Sequence, residues 1–246
     1  NTNPMRKLVI GDIHGGLKAL RQLLDRVAPA QEDFFVFLGD YVDGWSEAAE
    51  TVDYLIGFAR EHRCLFLKGN HDELCEEWLN GQAERELWLR HGGAATKKSY
   101  QGVGAATRER HAKFFRDLKA YHLDTENRLF LHAGFTNQRG VEHEYFEKNF
   151  YWDRTLWETA LSLDARLDSS DQLYPARLRH YREIYIGHTP VVRIGKDQPF
   201  RAANVWNVDT GAAFRGPLSA IDAGNKEVWQ SDPVYQMYPE ETGRNA

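Results

Sequence analysis

Short apolar runs alternate with amphipathic stretches through the first third of the chain. Residues 8–10 form one apolar run, and residues 17–27 carry apolar side chains at 17, 20, 23, 24 and 27, the spacing of one helix face. Residues 34–38 are a second continuous run, followed by a helical stretch over 47–60. Residues 64–67 are a third, with a helix following through Trp78. Three strand–loop–helix units in succession predict parallel strands joined by helical crossovers. In open α/β sheets, ligands bind at the carboxyl ends of such strands.

The pattern then loosens. Residues 83–119 read as helical with a break at "HGGAAT", and "YHLDTENRLFLHAG" predicts a hairpin because "DTEN" supplies turn chemistry between apolar flanks. Residues 152–165 predict a helix. After a polar loop containing Pro175, "EIYIGHTP" is strand then loop, and residues 205–230 read as short strands joined by "DTGAAFRG" and "DAGNK". No repeat, low-complexity segment or linker divides the chain. One domain over residues 5–235 is expected, with residues 236–246 as a C-terminal tail. Met5 reads as a native start, which makes residues 1–4 an added leader.

Composition narrows the classes. A chain of 246 residues, 42% hydrophobic, is long enough to bury a large core. A net charge of -5 gives no general affinity for nucleic acid or anionic membranes. The longest apolar stretches fall well short of the ~20 residues a membrane span needs, and the first residues lack the pattern of a signal peptide. The two cysteines, Cys64 in an apolar run and Cys75 on a helix, make no disulfide framework. A soluble, cytoplasmic monomer is expected.

One chemical pattern repeats at strand ends. Asp12 and His14 follow the first run; Asp40 and Asp43 follow the second; Asn70, His71 and Asp72 follow the third; His132 follows the hairpin and His188 the "YIGHT" strand. Glycines at 11, 15, 39, 69, 134 and 187 let the backbone turn sharply there. A lone histidine after a strand is usually structural, but five strand ends each carrying a ligand type are not explained by turn chemistry. Oxygen and imidazole donors without thiolate suit Mn²⁺, Fe or Zn²⁺. There are more donors than one ion requires, and a shared carboxylate would hold two ions ~3.5–4 Å apart, a spacing suited to phosphoryl transfer.

"GDIHG", "GDYVDG", "KGNHD", "HAG" and "GHT", in this order, resemble the motifs of the calcineurin-like metallophosphoesterases. The second motif is similar to that of the PPP-type serine/threonine phosphatases, in particular their small bacterial and phage members, and "YWDR" and "VDTGAAFRGPLSAI" also resemble segments of that group. The resemblance spans residues 8–221 and implies a four-layer αββα sandwich, two mixed β-sheets flanked by helices. It implies that Asp12 and His14 hold a first metal, that Asp40 bridges, and that Asn70, His132 and His188 complete a second. The ions would be divalent, Mn²⁺ first, with Fe or Zn²⁺ as alternatives. A hydroxide between them would attack phosphorus in line, His71 would protonate the leaving oxygen, and Asp43 would orient His71 and keep it cationic. Arg154 matches an arginine that grips phosphate.

The chain departs from the pattern at Gly44, which stands where the second motif ordinarily has arginine. Gly44→Arg is therefore expected to lower KM. Lys68 begins the third motif in place of arginine and is expected to make structural contacts. The function implied is phosphomonoester hydrolysis, with phosphoserine and phosphothreonine in proteins as substrates. The alternative is a small phosphate compound, such as a dinucleoside polyphosphate or a nucleotide. A catalytically silent metal-binding scaffold would need a missing ligand or acid, and none is missing. Tyr41, Trp45 and Trp152 are candidates for the cleft wall or for packing; residues 91–100 are a candidate loop over the site, with His91 in no motif and Lys97 and Lys98 read as attracting phosphorylated substrates or, more simply, as a solvated pair. Glu73, Glu76 and Glu77 read as a solvated helix face, and Asp209 as a neighbour of the metal ligands.

Overall fold

The computed structural model describes residues 5–245; the leader expected at residues 1–4 lies outside the described residues. Two five-stranded sheets make up the centre. The first has strands in the order β10-β9-β1-β2-β3: Lys7–Ile10 (β1), Phe34–Phe37 (β2), Arg63–Phe66 (β3), Ser219–Asp222 (β9) and Val228–Gln230 (β10). β1, β2 and β3 run parallel, and β9 closes antiparallel on β1 with Val9 opposite Ile221. The second sheet has the order β4-β5-β6-β8-β7: Tyr121–Leu123 (β4), Arg128–Leu131 (β5), Glu183–Ile186 (β6), Phe200–Ala202 (β7) and Val205–Asn207 (β8). β5, β6 and β8 are parallel, and the outer pairs are antiparallel.

Alternation along each strand builds the layers, since successive side chains point to opposite faces. Val9 and Val36 turn inward and meet Phe130, Tyr185 and Val208 between the sheets, where Phe130 and Tyr185 stack with centroids 5.1 Å apart. Leu8, Ile10, Phe35 and Phe37 turn outward onto the helices Leu17–Val27 (α1) and Ala48–Phe58 (α2). Leu129, Leu131, Ile184 and Ile186 turn the other way, onto Leu156, Trp157 and Ala160 of the helix Thr155–Ser162. The result is the four-layer αββα sandwich, with two mixed sheets flanked by helices.

Two sequence expectations change and one, the break at residues 91–96, is met. The helix expected over 152–165 is two pieces, Asn149–Trp152 and Thr155–Ser162. Asp153 leaves helical geometry, and its carboxylate accepts the N–H groups of Thr155 at 3.0 Å and Leu156 at 2.9 Å, starting a new helix. The break at "HGGAAT" is a wide turn over Leu89–Gly93 in which His91 and Gly92 depart from helical angles. The tail expected beyond residue 235 packs back on the domain: Tyr238 is buried and stacks on Trp45 at 5.2 Å. Among the described residues no helix is long and apolar enough to cross a membrane.

Candidate metal centre

Five parallel strand ends deliver the donors to one place. Asp12 and His14 follow β1, Asp40 follows β2, and Asn70 opens the helix Asn70–Leu79 (α3) after β3. His132 follows β5 and His188 follows β6. His14, Asp40, Asp43 and His188 all take positive φ, between 54° and 69°, a conformation that is costly outside glycine and is found at functional turns.

Asp40 is the hub. Its Oδ2 lies 3.3 Å from His132 Nε2 and 3.6 Å from His14 Nε2, while its Oδ1 accepts the His71 N–H at 3.0 Å. Two triplets of donors, His14–Asp40–His71 and Asp40–His132–His188, each lie within 4.8 Å of one another and share Asp40. Asp12 Oδ2 is 3.8 Å from His14 Nε2, and its carboxylate accepts the His188 N–H. Asn70 Oδ1 is 2.9 Å from His188 Nδ1 and 3.2 Å from His132 Nε2. All six residues expected as ligands are thus brought together, with His71 alongside. Gly69 permits the approach: a Cβ there would stand 2.1 Å from Asp40 Oδ1.

The hydrogen bonds set the tautomers. His14 Nδ1 faces the carbonyl of Asp43 at 2.7 Å and His132 Nδ1 faces that of Leu38 at 2.9 Å. A carbonyl can only accept, so each Nδ1 carries a proton, and each Nε2, once deprotonated, turns its lone pair inward. His188 Nε2 is buried with no hydrogen-bond partner. Burial pushes the Asp12 and Asp209 carboxyls up to about 7, while at His132 burial is outweighed by Asp40 and Asp12, which push it up to about 10. An orphaned imidazole nitrogen, buried carboxylates and inward lone pairs without thiolate fit divalent cations.

His71 lies beside this cluster. Its Nδ1 donates to Asp43 Oδ2 at 2.7 Å, and its ring meets that of His14 edge-on at 5.1 Å. Asp43 also accepts from Trp88 Nε1 at 2.7 Å and from Thr96 Oγ1 at 2.6 Å. Burial lowers the His71 imidazole pKa while Asp40 and Asp43 raise it, with the net direction below the ordinary value. Asp72 also departs from a ligand role. Its oxygens accept the N–H groups of Asp40 and Gly69 at 2.7 Å and of Tyr41 at 2.8 Å, which ties two site loops together.

A cleft of about 450 Å³ opens over Asn70 and His71. Arg154 lines it and, as an exposed side chain, reaches Thr189 Oγ1 at 3.3 Å. His91 and Trp152 also line it, whereas Tyr41 and Trp45 are fully buried packing residues. Lys97 pairs with Glu84, and Lys68 with Glu76, each at 2.7 Å. Glu73 and Glu77 are paired too, with Lys148 and Arg85, so the acidic helix face is not simply solvated. Sequence reasoning missed Arg193, Arg244, Trp88 and Thr96. The two arginines stand in no motif, and Trp88 and Thr96 become legible only once Asp43 needs hydrogen-bond donors.

Gly44 bears on one expectation. It sits at φ +146°, and a Cβ there would be 3.1 Å from the His14 carbonyl oxygen and 3.2 Å from His14 Cβ. Arginine at this position would press on the turn that carries His14, so Gly44→Arg is expected to strain that turn rather than simply lower KM.

Comparison with known proteins agrees with this geometry. Residues 5–212 match the family described as calcineurin-like phosphoesterase. The asymmetrical bis(5'-nucleosyl)-tetraphosphatase PrpE of Anoxybacillus flavithermus is 24% identical over 233 residues, 87% of this chain and 88% of the relative. That of Oceanobacillus iheyensis is 24% identical over 89% of each chain. Among solved structures, a putative diadenosine tetraphosphatase is similar with a TM-score of 0.62 and 20% identity, covering 93% of this chain and 94% of its own. A Saccharomyces cerevisiae protein serine/threonine phosphatase similar to human PP5 has a TM-score of 0.60 and 14% identity, covering 94% of this chain and 81% of its own. With a family match across most of its length and side chains able to hold metal gathered at its strand ends, the chain belongs to the calcineurin-like phosphoesterases, as a metal-dependent hydrolase.

Proposed function

We propose that this enzyme hydrolyses small polyphosphate esters, with dinucleoside tetraphosphates as the preferred class, rather than phosphoserine and phosphothreonine in proteins. The observation that carries the reading is the charge of the cleft. Arg154, Arg193 and Arg244 line it together, and none forms an ion pair among the described residues. Three unneutralised guanidinium groups beside one dinuclear centre suit a chain of phosphates better than a single one. The relatives named as tetraphosphatases, alike over nearly their full length, support the same reading. The protein-phosphatase reading has likeness of fold alone behind it.

In this reading Asp12, His14 and Asp40 hold one ion, and Asp40, Asn70, His132 and His188 the other, with Mn²⁺ the first choice. Bound divalent ions supply charge neutralisation for phosphoryl oxygens and a nucleophilic water near neutral pH. The chain's own groups do the rest. His71 Nε2 gives a proton to the leaving oxygen, and Asp43, fixed by Trp88 and Thr96, holds the other ring nitrogen. Arg154 orients the phosphoryl group. The test is kcat/KM of the Mn²⁺-loaded enzyme on diadenosine tetraphosphate, p-nitrophenyl phosphate and a phosphoserine peptide. Diadenosine tetraphosphate is expected to lead by at least about tenfold, with AMP and ATP as products. Preference for the peptide, or no cleavage of the tetraphosphate, would overturn the reading.

A further inference from the structure

Gly44 leaves a space that another part of the chain fills. The Cγ of Arg244 lies 3.6 Å from where a Cβ on Gly44 would stand. From there the arginine lines the cleft with His71, Arg154 and Arg193, its guanidinium carbon 5.4 Å from the Phe214 ring centroid. Its Nε is buried and has no hydrogen-bond partner, and no carboxylate pairs with it among the described residues. A buried guanidinium N–H without an acceptor, facing a site that handles phosphate, is a donor awaiting a ligand.

The segment bearing Arg244 is fixed to the residues just after Gly44. Tyr238 stacks on Trp45 with an interplanar angle of 19°, and its hydroxyl donates to Glu47. Glu241 accepts the Ser46 N–H at 3.0 Å and the Ser46 hydroxyl at 2.6 Å. Gly243, at φ +59°, lies so close to Trp45 that a Cβ would stand 2.7 Å from its ring, and the Arg244 N–H donates to the Ala213 carbonyl at 2.9 Å. Residues 45–47 therefore act as a dock, and the dock sets the arginine beside His14 and Gly44.

We infer that Arg244 binds the phosphoryl oxygens of the substrate, supplying from residues 238–244 the guanidinium that position 44 lacks. The inference rests on the proposed hydrolysis only in that a phosphate must enter this cleft, and it adds a specificity residue outside the strand-end motifs. Together with Arg154 and Arg193 it places a positive wall along the cleft, the surface a polyphosphate chain would follow.

The test compares Mn²⁺-loaded wild type with Arg244→Ala and Arg244→Lys. Kinetics on p-nitrophenyl phosphate and diadenosine tetraphosphate are measured with the Ki of inorganic phosphate and the Tm shift that phosphate produces. In Arg244→Ala, KM and the phosphate Ki are expected to rise about tenfold or more in parallel, with kcat falling less and bound manganese unchanged. Arg244→Lys is expected to recover part of the loss, and phosphate is expected to protect the alanine variant less against heat. Unchanged KM and Ki would overturn the inference. So would equal losses in both variants accompanied by loss of manganese, which mark a structural role. If wild type fails to cleave the tetraphosphate while phosphate inhibition still depends on Arg244, the substrate reading falls and this inference stands. Tetraphosphate cleavage and phosphate inhibition that are both indifferent to Arg244→Ala give the reverse.

Discussion

At His71 one ring nitrogen is committed and one is free for chemistry. Nδ1 donates to Asp43 Oδ2 at 2.7 Å, so Nε2 is the nitrogen that can deliver a proton. General-acid help grows with the basicity of the leaving oxygen, which makes the residue a probe of substrate class. His71→Asn is expected to leave bound manganese near wild type, because Asp40, Asn70, His132 and His188 keep their places. Its kcat is expected to fall by about 100-fold on an alkyl phosphate such as phosphoserine, and by much less on diadenosine tetraphosphate, whose departing phosphate needs little protonation. Parallel kinetics and metal analysis check this; equal losses on both substrates, or loss of metal, would remove His71 as the acid. The clustering of these donors was legible in the sequence, since each follows an apolar run and a sharp turn. The pKa direction of His71 was not, because burial is a property of the folded cleft and here it outweighs the visible Asp43.

The loops between elements carry most of the precision, and Asp72 shows how. It sits in the first turn of α3 and accepts from Gly69 in its own loop and from Asp40 and Tyr41 in the loop after β2. One side chain thereby fixes the relative position of Asp40 and Asn70. Asp72→Asn turns one acceptor into a donor facing buried N–H groups. It is expected to cost about 1–3 kcal/mol and to weaken metal binding with no ligand removed. Urea unfolding and manganese titration measure the two effects; unchanged metal affinity in a destabilised variant would show that the loops hold without the clamp. In the sequence Asp72 looked like one more ligand, because spacing reveals that an acid is near the site but not which way it faces. The strands and α1, α2 and α3 were legible from period and length. β7 was not, being three residues within a polar stretch, and the helix expected over 152–165 came out shorter because Asp153 caps a new helix that starts only at Thr155.

Across the whole molecule the donor-bearing end and the opposite end of the sandwich divide the labour. The donors gather at the carboxyl ends of β1, β2, β3, β5 and β6. At the other end, Asp124 joins the two sheets: Lys7 at the start of β1 donates to it, as does Arg128 Nε at 2.8 Å from the start of β5. Arg128 also reaches the Ala223 carbonyl beyond β9 at 3.2 Å. Burial pushes the Asp124 carboxyl up, but Lys7 and Arg128 outweigh it and hold it at about 2. The folded value lies below the unfolded one of about 3.9, so the unfolded chain binds the proton more readily. The stability this group contributes is therefore complete at neutral pH and is lost as pH falls from about 5 toward 2. Asp124→Asn keeps the shape but removes the charge. Its deficit relative to wild type is expected to be largest at pH 7 and to narrow steadily at pH 5, 4 and 3, read from urea midpoints. A gap that stays constant with pH would show that Asp124 acts through packing and hydrogen bonds alone. Because the cluster lies at the far end of the strands from Asp12 and His132, the variant's KM and bound manganese at pH 7 should match wild type, which separates holding the two sheets together from the chemistry at their other edge.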